Sequence, residues 1–519
     1  MKQLSKNNNR VYFSPPWIPL IPLFFIIILS ACSSSITPQI DRKSSYALKD
    51  VTQTSLARAY QRKIKQHKGK SGFVLLGSGL DAFAARTALF KRAEKSIDVQ
   101  YYQVRDDVTG YLFYQALRQA ANRGVRVRIL LDDYELQGQT AKLAAIDRYP
   151  NIEVRIFNPF SRHSPRLLQY IFQVGKITRR MHNKSVTIDN KFMIIGSRNI
   201  GNEYSEAQSK RVFSGMEVLA VGPITQKVSA SFDTYWNFKK TIKVSNLAKP
   251  IPPQTDRFKH SPMMKHFFKA LRTSPLVKQI QHNTLKFQWA HAVLIKDSPN
   301  KILQKPNRHE KKLNVKAFES FVKQAENEIF IITPYFIPGH RGLRYFQRLR
   351  DKGVNISVLT NSYQSTDMKI VNAHYNSYRK DLLRMGVKLY EFKSTNRSIN
   401  LLQRAQKLFN RPVKAGLHAK VISFDRNKLY VGSMNIDPRS LYENTEIGVI
   451  INSSKITGRI TQWLDKNLNE LAYHLELRNN HIIWHDRKNN KILTSEPDTI
   501  ISQRFWMNLM RILPVESQL

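Results

Sequence analysis

The sequence predicts an α/β protein built from two copies of one α/β/α lobe. Three observations carry that prediction. Helix-like and strand-like segments alternate in the same order in both halves. A His-x-Lys-x-x-x-x-Asp stretch occurs twice, from His182 to Asp189 and from His418 to Asp425. Each copy is followed by Gly-Ser-x-Asn, and the His, the Asp and the Gly are all offset by 236 residues. A chain of 519 residues has room for two or three domains with sizeable cores.

Residues 1–31 read as a targeting segment. Lys2, Lys6 and Arg10 precede an apolar run of 13 residues, Trp17 to Leu29, which is short for a membrane span. The run ends Leu29-Ser30-Ala31-Cys32, which looks like a bacterial lipobox, and Cys32 is the sole cysteine. Lipidation at Cys32 after cleavage is therefore expected, and no internal disulfide can form. Residues 32–71 read as a polar, basic tether.

The first lobe is expected over residues 72–248. Leu80 to Ala93 has helical spacing, Ile97 to Tyr102 reads as a strand, and Tyr111 to Asn122 as a helix closed by Gly124. Val125 to Leu131 reads as a buried strand ending at Asp132-Asp133. Leu167 to Val174 reads as a core helix, or alternatively as an acyl-chain rim to the site. Residues 249–312 read as an irregular linker, from Lys249-Pro250-Ile251-Pro252-Pro253 to a basic connection over Lys301 to Lys312. The second lobe, residues 313–519, repeats the order. Phe318 to Glu326 is helical, Ile329 to Thr333 a strand, Leu343 to Asp351 a helix closed by Gly353, and Val354 to Leu359 a strand. Near the end, Ile482-Ile483-Trp484 reads as a strand and Phe505 to Ile512 as an amphipathic helix.

The doubled stretch occupies residues 177–204 and 412–439. His and Lys are two apart, so on a strand they share one face, continued by Val186 and Ile188 or by Ile422 and Phe424. Asp189 and Asp425 suit the turn to a second strand, Phe192 to Ile195 or Leu429 to Val431. Glycine then ends that strand and delivers Ser197 and Asn199, or Ser433 and Asn435. The residue types suit phosphorus chemistry. A neutral His can attack or move a proton near pH 7. Lys184 and Lys420 supply fixed cations, and Ser and Asn supply uncharged donors. One copy is half a phosphate site and two make a whole one. One His attacks and forms a phosphohistidine, while the other protonates the leaving oxygen and deprotonates the acceptor. With lysines stabilising the charge, no cofactor or metal is required.

These residues resemble the phospholipase D superfamily, from about Gly72 to about Ala472. Ser71-Gly72-Phe73, Gly79-Leu80-Asp81-Ala82, Asp98-Val99-Gln100-Tyr101-Tyr102, Arg179-Arg180-Met181-His182 and Gly196 to Tyr204 are similar to the bacterial cardiolipin synthase C subgroup. The resemblance implies one site at the interface of two lobes, with catalytic His182, Lys184, Asp189, His418, Lys420 and Asp425, and with His182 as the nucleophile. It implies phosphate contacts from Ser197, Asn199, Ser433 and Asn435. It also implies carboxylates that orient the histidines: Glu446, 28 residues after His418, and Glu217, 35 residues after His182. Relatives more often carry Asp at the position matched by Glu217.

The expectation is a membrane-tethered phosphatidyltransferase of the bacterial cell envelope, exported and anchored through Cys32. The net charge of +45 favours an anionic partner, a lipid surface or nucleic acid. Two rivals share the chemistry: a phospholipase D passing the phosphatidyl group to water, and an exported nuclease. Two intact motifs argue against a purely structural protein.

Overall fold

The computed structural model describes residues 43–519 apart from 137, 163–164, 167, 170–174, 176, 207–210, 253–257, 259–260, 305–312, 395–412, 514 and 519. The targeting segment, Cys32 and most of Leu167 to Val174 lie outside the described residues, as does part of the expected tether and linker.

The alternating segments form the elements their spacing predicts. The first half contributes strands β1 (Ser71–Leu76), β2 (Ser96–Tyr101), β3 (Arg126–Asp132), β4 (Ile152–Phe157), β5 (Ser185–Ile188), β6 (Phe192–Gly196), β7 (Arg211–Ser214), β8 (Glu217–Val221) and β9 (Thr241–Lys243). The second contributes β11 (Glu328–Ile332), β12 (Asn355–Asn361), β13 (Lys388–Phe392), β14 (Lys414–Leu417), β15 (Val421–Phe424), β16 (Lys428–Gly432), β17 (Ile447–Asn452), β18 (Ala472–Arg478), β19 (His481–Asp486) and β20 (Lys491–Leu493), with β10 (Gln288–Lys296) between the halves.

Each half builds the same sheet. β2, β3 and β4 are parallel, and β5, β6, β8 and β1 continue the sheet antiparallel from β2. β11, β12 and β13 are likewise parallel, and β15, β16 and β17 continue antiparallel from β11. Parallel neighbours need crossovers, and helices supply them. Ser78 caps Gly79–Arg92 and Asp107 caps Val108–Asn122, each accepting a backbone amide of the first turn.

Residue alternation divides the core into layers. Phe192 and Ile194 of β6 pack with the helices of the first lobe. Their neighbours Met193 and Ile195 belong to a different cluster, which also holds Leu429 and Val431 of β16 and Ile447, Val449 and Ile451 of β17. Tyr430 and Ile450 turn the other way, into the core of the second lobe. A strand's period of two thus feeds one face to its own helices and the other to a core common to both lobes.

The segment expected as an irregular linker is more ordered than its composition suggested. It carries the helices Pro262–Thr273 and Pro275–Gln281 and then β10. Gln288 to Ala290 pair with β1 of the first lobe, and His291 to Lys296 pair with β17 of the second. One strand therefore joins both sheets into a single ladder. Prolines and lysines concealed it: each helix begins at a proline, where the missing N–H costs nothing.

The two motif hairpins turn through residues in the left-handed region. Asp189 and Asn190 have φ of 48° and 45°, and Asp425 and Arg426 have 47° and 53°. Asp and Asn tolerate that region, and paired positive φ values match the twist of a two-residue hairpin. The described residues contain no helix long and apolar enough to cross a membrane.

Candidate active site

Each histidine is placed by a short extended segment that pairs with the other lobe. Met181 bridges Thr445 in parallel, and the His182 N–H donates to the Thr445 carbonyl at 2.9 Å. In the other direction β14 pairs in parallel with β7, and the His418 N–H donates to the Ser214 carbonyl at 2.7 Å. Arg179, just ahead of His182, forms a buried ion pair with Glu443 across the lobes at 2.7 Å. The expected strand face does not extend to the two histidines and lysines, because β5 begins at Ser185 and β15 at Val421, one residue after each Lys.

His182 has a full set of partners. Its Nδ1 lies 3.0 Å from both carboxylate oxygens of Glu446, and the Tyr102 ring stands edge-on at 5.2 Å. Glu446 also accepts from the Ser433 hydroxyl and, at 2.9 Å, from the Ser440 hydroxyl. Its own amide donates to Asp297 at 3.0 Å, and Asp297 accepts from Lys301 at 2.8 Å. The carboxylate is thus fixed from several sides, partly by residues that follow β10.

His418 is surrounded differently. The rings of Tyr204 and Phe213 lie 5.0 and 5.5 Å away, and Lys420 Nζ sits 3.4 Å from the imidazole nitrogens. Lys184 and Lys420 each donate to the carbonyl of their own motif histidine, at 2.6 and 3.0 Å. Lys184 also lies over the Tyr102 ring, 5.3 Å from its centre.

Electrostatics joins the two motifs into one site. Burial, then the charges of Lys184 and Lys420, hold His182 well below the usual imidazole range. Burial, then Lys420, Lys184 and His182, do the same to His418. Burial pushes Lys420 down to about 7 and, with Lys420 adding repulsion, lowers Lys184. Burial raises Glu446 to about 7, with Lys184 opposing it. Two imidazoles, two lysines and one carboxylate therefore share a buried, positively biased space.

The remaining candidates divide into two groups. Asn199 donates to the Tyr204 hydroxyl at 3.2 Å, and the Oδ1 atoms of Asn199 and Asn435 are buried without a hydrogen-bond partner. Ser197 exchanges hydrogen bonds with the backbone of Met216 at 3.1 and 3.0 Å, and Ser433 bonds Glu446 and the Ile447 amide, so both hydroxyls are engaged inside their lobes. Asp189 and Asp425 stand apart from the imidazoles. The Asp189 carboxylate receives the amides of Glu94, Lys95 and Ser96, and that of Asp425 the amides of Glu326, Asn327 and Glu328, all within 3.3 Å. Each aspartate ties its hairpin to the start of the adjacent antiparallel strand, β2 or β11.

Glu217 also stands elsewhere than expected. It pairs with Arg86 and, at 3.5 Å, with Arg198, and among the described residues it touches no histidine. Register explains why. Gly196 lies opposite Glu217, as Gly432 lies opposite Gly448. Thr445 and Ser214 are the matching acceptors of the two histidine amides. The counterpart of Glu446 is therefore Gly215, two residues before Glu217. A Cβ on Gly215 would sit 2.7 Å from Arg198 Cγ, so an arginine fills the space beside that position. The site is symmetric in its histidines and lysines and asymmetric in its carboxylate. Counting residues along the sequence could not find this, because loop lengths differ between the halves. Tyr102, Tyr204, Ser440, Asp297 and Lys301 were also missed as members of the site, since none repeats with the motif.

Residues 87–236 and 319–468 each match the family described as cardiolipin synthase, phospholipase D-like domain. The chain belongs to that family and is a phosphatidyltransferase-type enzyme of the phospholipase D superfamily. It is 39% identical over 475 residues to cardiolipin synthase C of Escherichia coli (strain K12), covering 89% of this chain and 99% of the relative. It is 32% identical over 480 residues to an uncharacterized protein of Helicobacter pylori (strain ATCC 700392 / 26695), covering 89% and 92%. Its fold is similar to the crystal structure of phosphatidylserine synthase from Haemophilus influenzae Rd KW20, with a TM-score of 0.54 at 14% identity, covering 89% of this chain and all of that one.

Proposed function

We propose that this protein transfers a phosphatidyl group between alcohols through a phosphohistidine, as a cardiolipin synthase-like enzyme. The observation that carries the proposal is the contact between His182 and Glu446, with the charges of Lys184 and Lys420 reaching both His182 and His418. A carboxylate that accepts a hydrogen bond from Nδ1–H fixes that tautomer, which leaves the Nε2 lone pair free to attack phosphorus. As the Nε2–P bond forms, the bond from phosphorus to the departing alkoxide breaks, and His418 gives that oxygen a proton. His418 then takes the proton of the incoming alcohol, whose oxygen displaces His182 from phosphorus. Lys184 and Lys420 stabilise the charge on the phosphoryl oxygens, and Asn199 and Asn435 offer amide groups beside them. The anionic phosphodiester offsets both lysines, which favours a protonated His418 once substrate is seated. Phosphatidylglycerol is the proposed acceptor, and phospholipid the proposed donor.

The test is product analysis. Full-length protein on phosphatidylglycerol vesicles should make a new phosphodiester lipid, and an added alcohol should appear in the product. A chelator should leave the rate unchanged, because the lysines supply the cations. Raised salt should slow the reaction by screening attraction to an anionic surface. DNA and RNA should remain intact at enzyme levels that consume lipid. Phosphatidic acid as the sole product in the presence of alcohol would make the protein a hydrolase. Nucleic acid cleavage without lipid product would make it a nuclease.

We also assign the protein to the envelope membrane, tethered through a lipid on Cys32, on the strength of the apolar run and Leu29-Ser30-Ala31-Cys32. Cys32→Ala should accumulate as the uncleaved precursor and lose N-terminal membrane partitioning. An uncleaved precursor mass for the wild-type protein would refute the assignment.

A further inference from the structure

The helix Ile501–Arg511 presents large apolar side chains to solvent although it is already docked on the protein. Met507 forms its inner contact, buried with Tyr363 and Ala373 beside the helix Lys369–Asn376. The outer side exposes Ile501 at 78%, Phe505 at 64% and Ile512 at 71%, with Trp506 at 57% beside them. Ile501, Phe505 and Ile512 are spaced i, i+4, i+11, one stripe of a helix. Single exposed apolar residues need no explanation, but a contiguous aromatic and aliphatic stripe does.

The helix is tied by hydrogen bonds to segments that position the site. Gln364, in the loop after β12, donates to the Asp498 carbonyl at 2.7 Å and to Gln503 at 3.0 Å. The same loop receives Arg211 of β7 through the Thr366 carbonyl at 2.9 Å, and β7 ends at Ser214, the acceptor of the His418 amide. Past the helix, the Gln518 carbonyl accepts from Arg439 at 3.1 Å, and the charge of Arg439 reaches His182. Cations gather here too: Arg211 pairs across strands with Lys414, and both lower Lys369 after burial does. The helix itself carries Arg504 and Arg511 and no acidic residue.

We propose that this helix is an interfacial docking element that seats the site against an anionic lipid bilayer, its aromatic stripe entering the headgroup boundary and its arginines meeting lipid phosphates. The inference rests on the phosphatidyl-transfer reading but adds a surface to it. The occupant follows from the combination of apolar stripe and surrounding cations, beside segments bonded to the site: a bilayer offers apolar acyl chains to the one and anionic headgroups to the other.

The experiment uses full-length protein on vesicles of phosphatidylglycerol and phosphatidylcholine. Brominated acyl chains should quench the Trp506 fluorescence, read as the difference between wild type and Trp506→Phe. The triple variant Phe505→Ser/Trp506→Ser/Ile512→Ser should turn over vesicle lipid at least about tenfold more slowly, since one apolar side chain left unburied is worth roughly a factor of ten in partitioning. Its rate on dispersed short-chain phosphatidylglycerol should be unchanged. An absent quench, an equal vesicle rate, or conversion of a wild-type dimer to a monomer in the triple variant would overturn the docking assignment. Loss of nucleic acid binding in place of vesicle binding would overturn it too. If wild type fails on short-chain lipid as well, the phosphatidyl-transfer reading fails, while the quench still decides the docking.

Discussion

Replacing either motif histidine alone, His182→Ala or His418→Ala, is expected to bring turnover to background while the fold persists. Each imidazole belongs to a different lobe, yet each is held at its backbone by the other lobe, through Thr445 or Ser214. If the two share one reaction, neither half can act without the other. A general acid or base is worth about 10²- to 10⁴-fold, and loss of the nucleophile removes the covalent path altogether. Circular dichroism and thermal melting should change little, since His182 keeps its main-chain bonds in the alanine variant. Substantial activity in either single variant would mean two independent sites. Trapping the intermediate and mapping the phosphorylated residue should find it on His182, because Glu446 supports that imidazole alone. Label on His418 would reverse the roles.

The second large effect is expected at Glu446. Glu446→Gln should lower kcat by about 10²- to 10⁴-fold, because an amide can donate to Nδ1 and stabilise the wrong tautomer. The same residue should shape the pH profile. Glu446 must be ionised to hold the Nδ1 proton, and burial places it at about 7. Lys420 must be charged to receive the phosphodiester, and burial places it at about 7 as well. Activity should rise as pH climbs through the Glu446 value and fall as Lys420 loses its proton, giving a bell in kcat/KM near neutrality. Glu446→Gln should remove the acid limb, and Lys420→Arg should carry the alkaline limb upward, since guanidinium keeps its charge. Glu217→Gln is the contrast. It breaks a buried cluster with Arg86 and Arg198, so it should cost about 3–5 kcal/mol of stability and leave the shape of the profile alone. A wild-type profile without an acid limb would refute the role given to Glu446.

Much of this was legible in the chain because duplication is visible wherever residue identity survives. The two His-x-Lys stretches, their glycines and their asparagines needed no coordinates to be matched, and the apolar runs of β6 and β16 after the turn read as strands. What stayed hidden depends on which strand lies beside which. Glu446 looked like a partner of His418 by sequence distance, but the parallel bridge at Met181 and Thr445 hands it to His182. Glu217 looked like its counterpart, but register gives that place to Gly215. Asp189 and Asp425 repeat as faithfully as the histidines, yet their carboxylates hold backbone amides. Strict repetition thus marks geometric need as readily as chemical need. β10 was invisible for a different reason: its partly exposed residues follow a proline- and lysine-rich stretch that reads as a linker.

That shared strand also bears on movement. Two lobes joined by a flexible hinge can part to admit a bulky reactant and close again. Here the ladder runs unbroken from β1 through β10 to β17, and a core of side chains from both sheets lies beneath it. Parting the halves would strip main-chain hydrogen bonds and expose packed Ile and Val together. The two lobes therefore form a fixed mould rather than a jaw.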